Sequence, residues 1–119
     1  MSLRSHYVAG SFGVSFELFP PKSLDAEEAL WSHVGRLMSF RPSFFTCTYG
    51  AGGSTRDKTL EIVTGVKRRF SVPVASHLTC VGSSVEQLRT YLADARVKGV
   101  DYIVALRGDP PRGQSEFQP

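Results

Sequence analysis

Short runs of β-branched and aromatic residues alternate along the chain with longer stretches whose apolar residues recur every three or four positions, the rhythm of βα units. The first run, residues 14–19, stops at Pro20-Pro21, and Asp25 with Glu28 three positions on has the spacing of a reciprocal helix cap. Leu30, Val34, Leu37 and Met38 then form one helical stripe. The second run, residues 43–49, ends in Gly50-Ala51-Gly52-Gly53; Ser54 with Asp57 marks the next cap, and Leu60, Val63, Val66 and Phe70 the next stripe. The third run, residues 73–80, leads through Gly82 to Ser84 and Gln87, a capping-box pair, then to Leu88, Leu92 and Ala95, with Lys98-Gly99 as the stop. The fourth, residues 102–106, is nearly all apolar, as buried parallel strands are, and breaks at Arg107-Gly108-Asp109-Pro110-Pro111.

Four strands and three helices in strict alternation predict an α/β fold with right-handed crossovers. A (β/α)8 TIM barrel suits strands in sequential order, and a doubly wound sheet is the alternative. A complete barrel takes about 250 residues. The 119 residues here are therefore expected to carry about half of one, as a single incomplete domain: residues 1–13 an extension, 14–109 the βα units, 110–119 a loop.

Successive strand residues point to opposite faces, so each run divides by parity. Val14, Phe16 and Leu18 share one face and Ser15, Glu17 and Phe19 the other. Phe44, Thr46 and Thr48 go together, as do Ala75, His77 and Thr79, and, if the strand continues, Ile103, Ala105, Arg107 and Asp109. The polar members concentrate at the carboxyl ends, where barrel and doubly wound enzymes place their sites. An ionised Glu17 facing a barrel interior would be desolvated, which raises a carboxyl pKa and makes it the best acid/base candidate. Taken singly, each residue has a plain structural reading: a half-wet strand Glu, a hydrogen-bonded core His, β-forming Thr residues, a local Arg–Asp pair. Four strands with one polarity gradient at one end favour a site.

Composition adds limits. The formal charge of +3 is spread along the chain, so no basic block marks a nucleic-acid or membrane surface; Lys67, Arg68 and Arg69 read as a solvated helix end. The opening residues carry Arg4, Ser5 and His6 without an apolar stretch, which points to the cytoplasm. Cys47 and Cys80 lie in apolar runs with no metal-ligand spacing and are expected as buried, reduced thiols. The glycine-rich loop after the second strand could bring backbone N–H groups to an anion, or be a simple turn; it has neither a dinucleotide fingerprint nor a Walker lysine.

Ser15-Phe16-Glu17-Leu18-Phe19-Pro20-Pro21-Lys22, Thr48-Tyr49-Gly50-Ala51, His77-Leu78-Thr79-Cys80 and Leu106-Arg107-Gly108-Asp109-Pro110-Pro111 resemble, in order and spacing, the amino-terminal half of methylenetetrahydrofolate reductases. The likeness runs over about residues 14–113, and Leu18, where the family often has Phe, is a packing change. The resemblance implies a TIM barrel that binds FAD and passes a hydride from NADH or NADPH to the flavin and on to 5,10-methylenetetrahydrofolate, giving 5-methyltetrahydrofolate. It implies that Glu17 is the general acid. Thr48 would lie beside the flavin's reactive edge, and Tyr49, Ala51, His77, Arg107, Gly108 and Asp109 would contact FAD. Asp109 would also reach the folate and tune the flavin potential by its charge, while Thr79 and Cys80 would pack. Folate and a nicotinamide are the implied partners, with homo-oligomerisation at full length and no metal, nucleic acid or membrane. Half of the cofactor's walls are expected to be absent, leaving the isolated chain inactive.

Two other functions stay open on the residues alone. One is a different barrel enzyme with Glu17 and Asp109 as paired carboxylates; the other is a non-catalytic half-barrel that acts as an interaction module.

Overall fold

The computed structural model describes residues 2–49 and 56–107. Strands β1 (Ser15–Leu18), β2 (Phe44–Cys47), β3 (Val74–Thr79) and β4 (Tyr102–Leu106) alternate with helices α1 (Leu24–Leu37), α2 (Arg56–Phe70) and α3 (Val85–Val97). All three strand pairings are parallel and the sheet order is β1-β2-β3-β4, so the architecture is that of a partial (β/α)8 barrel whose sheet is not closed. The Gly50–Gly53 stretch, the Ser54 cap and the 110–119 loop fall outside the described residues.

The helix ends follow local chemistry. Ser84 and Gln87 form the expected capping box at α3. At α1 the cap is Ser23, whose side chain accepts from the Ala26 N–H at 3.1 Å. The expectation of Asp25 is corrected, because an N-cap needs extended backbone (φ −150° at Ser23) and Asp25 is already in the first helical turn, where its charge suits the helix dipole.

One face of the sheet is sealed by the helices. Phe45, Cys47, Val74 and Leu78 join Val34, Leu60, Ile62, Val63, Val66, Tyr91 and Ala95 in a single buried cluster. α2, lying between α1 and α3, buries a wider face than its four-residue stripe implied, adding Thr59, Ile62 and Gly65. In α3 the buried positions are Tyr91 and Ala95, with Leu88 partly buried; Leu92, expected in the stripe, is 41% exposed. α1 approaches α2 through Trp31, which lies so close to Gly65 that a Cβ there would sit 2.6 Å from the indole. The Arg69 guanidinium covers the indole ring at 4.1 Å, and Lys58 pairs with Glu27 at 2.8 Å.

The basic end of α2 is not simply solvated. Lys67 reaches the Gly99 carbonyl at 2.6 Å and Asp101 at 2.9 Å, and the other Asp101 oxygen accepts from the Val74 N–H at 3.0 Å. That arrangement ties the amino ends of β3 and β4 to α2. Residues 2–13 are likewise more than an extension: their 3-10 turn, Leu3–His6, places the His6 ring 5.5 Å from Phe44 and its Nε2 3.0 Å from the Tyr102 hydroxyl.

Candidate active site

The register sets which strand residues share the face turned away from the helices. Glu17 is level with Thr46, and Thr46 with Ala75; one pleat repeat further along, His77 is level with Val104. β1, β2 and β3 therefore divide as alternation predicts. β4 does not: Val104 and Leu106 lie beside His77 and Thr79, while Ile103 and Ala105 lie beside Ser76 and Leu78 on the helix side. The expected grouping of Ile103, Ala105 and Arg107 with the polar face is corrected. In a run apolar on both parities, alternation carries no sign, and the strand ends at Leu106, before Arg107.

On that face Glu17 and His77 meet diagonally across β2, Oε1 to Nε2 at 3.2 Å. His77 is 8% exposed, and burial lowers its pKa below the ordinary 6.5 while the Glu17 charge opposes the shift. At neutral pH the ring is then neutral. An ionised carboxylate only accepts, so the contact requires the Nε2–H form of His77 as donor. The Glu17 side chain itself is 51% exposed. The strong desolvation expected for it is not found, because β1 lies at the edge of an open sheet and nothing described covers its outer side.

The end of β2 is held firmly from the helix side. The Thr48 carbonyl accepts from the Thr59 hydroxyl at 2.6 Å and from the Cys47 thiol at 3.5 Å. Cys47 is buried, and its pKa is pushed up to about 12 by desolvation, so it stays a thiol. Cys80 is exposed and free. The expectation of two buried thiols is therefore half corrected: β3 ends at Thr79, and Cys80 opens the following turn.

Tyr49 bridges two strand ends, its hydroxyl donating to the Thr79 carbonyl at 3.0 Å and accepting from the Thr79 N–H. Arg56, the first residue of α2, lies over the Tyr49 ring at 5.7 Å and over the Tyr91 ring at 5.9 Å. It donates to the Ser83 hydroxyl, and its buried Nε has no partner among the described residues. Tyr91 is hydrogen-bonded to Ser76, and burial raises its pKa.

Of the expected site residues, Glu17, Thr48, Tyr49 and His77 lie at the adjoining ends of three strands, and Arg107 is exposed just after the fourth. Ala51, Gly108 and Asp109 fall outside the described residues. Arg56 and Thr59 were not anticipated. Both follow the Ser54 cap signal, where a polar residue reads as helix surface; the only hint is that Thr59 precedes the Leu60 stripe. Among the described residues no cluster of His, Cys, Asp and Glu could hold a metal ion, and no helix is long and apolar enough to cross a membrane.

A family model described as methylenetetrahydrofolate reductase matches residues 2–119. The chain belongs to the methylenetetrahydrofolate reductase family. It is 43% identical over 109 residues to the 5,10-methylenetetrahydrofolate reductase of Escherichia coli (strain K12), which covers 92% of this chain and 37% of that protein. It is 48% identical over 103 residues to the protein of the same name from Pectobacterium carotovorum subsp. carotovorum, covering 87% of this chain and 35% of the relative. A methylenetetrahydrofolate reductase (NADH) 1 of Arabidopsis thaliana is 44% identical over 108 residues, 91% of this chain and 18% of the plant protein. The chain thus spans about a third of the length of the bacterial relatives it matches. The four strand-end motifs all fall inside the matched span.

Proposed function

We propose that this chain supplies the first four strand ends of the active site of a flavin-dependent enzyme that reduces 5,10-methylenetetrahydrofolate to 5-methyltetrahydrofolate with electrons from NADH or NADPH. The observation that carries the reading is the Glu17–His77 contact of 3.2 Å at the carboxyl ends of β1 and β3, in a chain of this family. The residues present fit a flavin. Thr46, Thr48, Ala75 and His77 are small or flat side chains that leave room for a planar ring and offer hydroxyl and imidazole groups. Thr48, Tyr49, Ala51, His77, Arg107, Gly108 and Asp109 would hold FAD, with Asp109 also touching folate. Bound FAD would supply the hydride.

Glu17 has the protein's part of the chemistry. Its carboxyl faces open space, so it takes up a proton from water and delivers it from Oε to the folate ring nitrogen as the five-membered ring opens. His77 matches either state of Glu17, donating from Nε2–H to the carboxylate or accepting there from the acid. The reading also makes residues 14–109 the βα part of a catalytic domain that works in the cytoplasm, as a homo-oligomer at full length.

The test is Glu17→Gln in the full-length protein, followed by stopped-flow absorbance. Flavin bleaching by the nicotinamide is expected near the parental rate. Reoxidation by methylenetetrahydrofolate is expected to fall by a factor on the order of 10² or more, the scale of a lost general acid. Reoxidation at the parental rate would remove Glu17 from the role.

A further inference from the structure

The geometry points to Arg56 as a positioning residue: packed between Tyr49 and Tyr91, it holds Tyr49 against the end of β3 and so sets how tightly the site grips its flavin. The inference rests on the flavin reading of the site. Tyr49 leaves β2 one position after Thr48, and its hydroxyl occupies both the N–H and the carbonyl of Thr79. The bridge is made by a side chain, so it persists only while the ring is held in place. The Arg56 guanidinium provides the hold, lying over the Tyr49 and Tyr91 rings at 5.7 and 5.9 Å, within the range in which a cation is attracted to a ring face.

Each neighbour of Arg56 is itself anchored. Tyr91 is buried in α3 and hydrogen-bonded to Ser76 on the helix side of β3. Ser83, which accepts from the Arg56 Nη2, belongs to the turn closed by its own N–H donating to the Cys80 carbonyl at 3.2 Å. Among the described residues the Arg56 Nε is buried without a partner, and the contacts they give the guanidinium are the two rings and Ser83. Through this one side chain, α3 and the β3–α3 turn bear on the end of β2. A lysine ammonium is a compact point charge that cannot reach both rings and the Ser83 hydroxyl with the spread of a guanidinium.

The test compares Arg56→Met, which keeps the stem and loses the cation, with Arg56→Lys, in the full-length protein. Flavin affinity is read by titrating apoprotein with FAD, and the Tyr49 bridge by hydrogen exchange at the Thr79 amide. In the Met variant, flavin affinity is expected to fall about tenfold. Thr79 exchange should accelerate by a similar factor while the amides of residues 75–78 keep theirs, and Lys should recover part of both. Tyr49→Leu combined with Arg56→Met should bind flavin no more weakly than Tyr49→Leu alone, because the arginine acts through the ring. Unchanged flavin affinity overturns the inference, as does a uniform loss of protection along β3, which would make Arg56 merely structural. A parent protein that binds no flavin defeats the flavin reading instead; the Thr79 amide then decides alone whether Arg56 holds Tyr49.

Discussion

His77 combines burial with a charged neighbour, and the balance has a pH signature. Its folded-state pKa lies below 6.5, so the unfolded chain binds a proton more readily than the folded one. The stability associated with the neutral ring is fully present above the unfolded value and is lost as pH falls through about 6.5 toward the folded value. Urea midpoints measured near pH 7 and pH 5 should therefore fall toward acid, and the difference should shrink in His77→Gln. It should grow in Glu17→Gln, which removes the charge that favours the imidazolium. A steeper acid loss in His77→Gln would show that His77 is not the group responsible. The two thiols offer a second contrast. A thiol reagent on the native protein should label Cys80 rapidly and Cys47 only on unfolding, because Cys47 is buried and held as a thiol by a pKa of about 12. That Glu17, Thr48 and His77 lie together was legible because three strands alternate cleanly. Arg56 was not, because its role depends on Tyr49 and Tyr91 converging from two other elements, which no local pattern records.

Boundaries and faces of elements were readable wherever polar residues marked a phase. The Ser84–Gln87 box sets the start of α3 as the spacing implied, whereas Ser23 outcompeted Asp25 at α1 by being the last residue with extended backbone. β4 shows the limit: with Ile103, Val104, Ala105 and Leu106 all apolar, only pairing with β3 reveals that Val104 joins His77. The α1–α2 contact was equally silent in sequence, since a mid-helix glycine reads as a cost of about 1 kcal/mol against alanine. Here propensity loses to packing. A Cβ at Gly65 would lie 2.6 Å from the Trp31 ring, so Gly65→Ala is expected to destabilise by about 1–3 kcal/mol, as overpacking does. A blue or red shift of tryptophan emission would accompany it, because Trp31 is the chain's single tryptophan. An alanine variant as stable as its parent, with unshifted emission, would show that the indole moves aside freely. At the start of α3, Ser84→Ala should cost about 1 kcal/mol in thermal or urea unfolding, the usual loss of a serine cap.

At the scale of the molecule, the alternating elements and the missing length pointed to a barrel, and the parallel order β1-β2-β3-β4 agrees. The described strands wall the site on one side only, and Glu17 retains half its exposure. FAD titrated against the 119-residue chain by itself is therefore expected to bind weakly or not at all, read by quenching of flavin fluorescence. Tight stoichiometric binding would mean that two copies complete one site.

The hydrogen bond between His6 and Tyr102 joins residues 96 positions apart, and it bears on the order in which the chain folds. Contacts of such separation form late, after local helices and neighbouring strand pairs have met their loop-closure entropy. During synthesis the His6 ring has no Tyr102 to meet until β4 has left the ribosome, so this hydrogen bond closes only after the first three strands are made. Tyr102→Phe should consequently speed unfolding while leaving the refolding rate nearly unchanged, since interactions absent from the transition state act on escape from the native state. A chevron in which the refolding arm moves instead would place this amino-terminal latch among the earliest events.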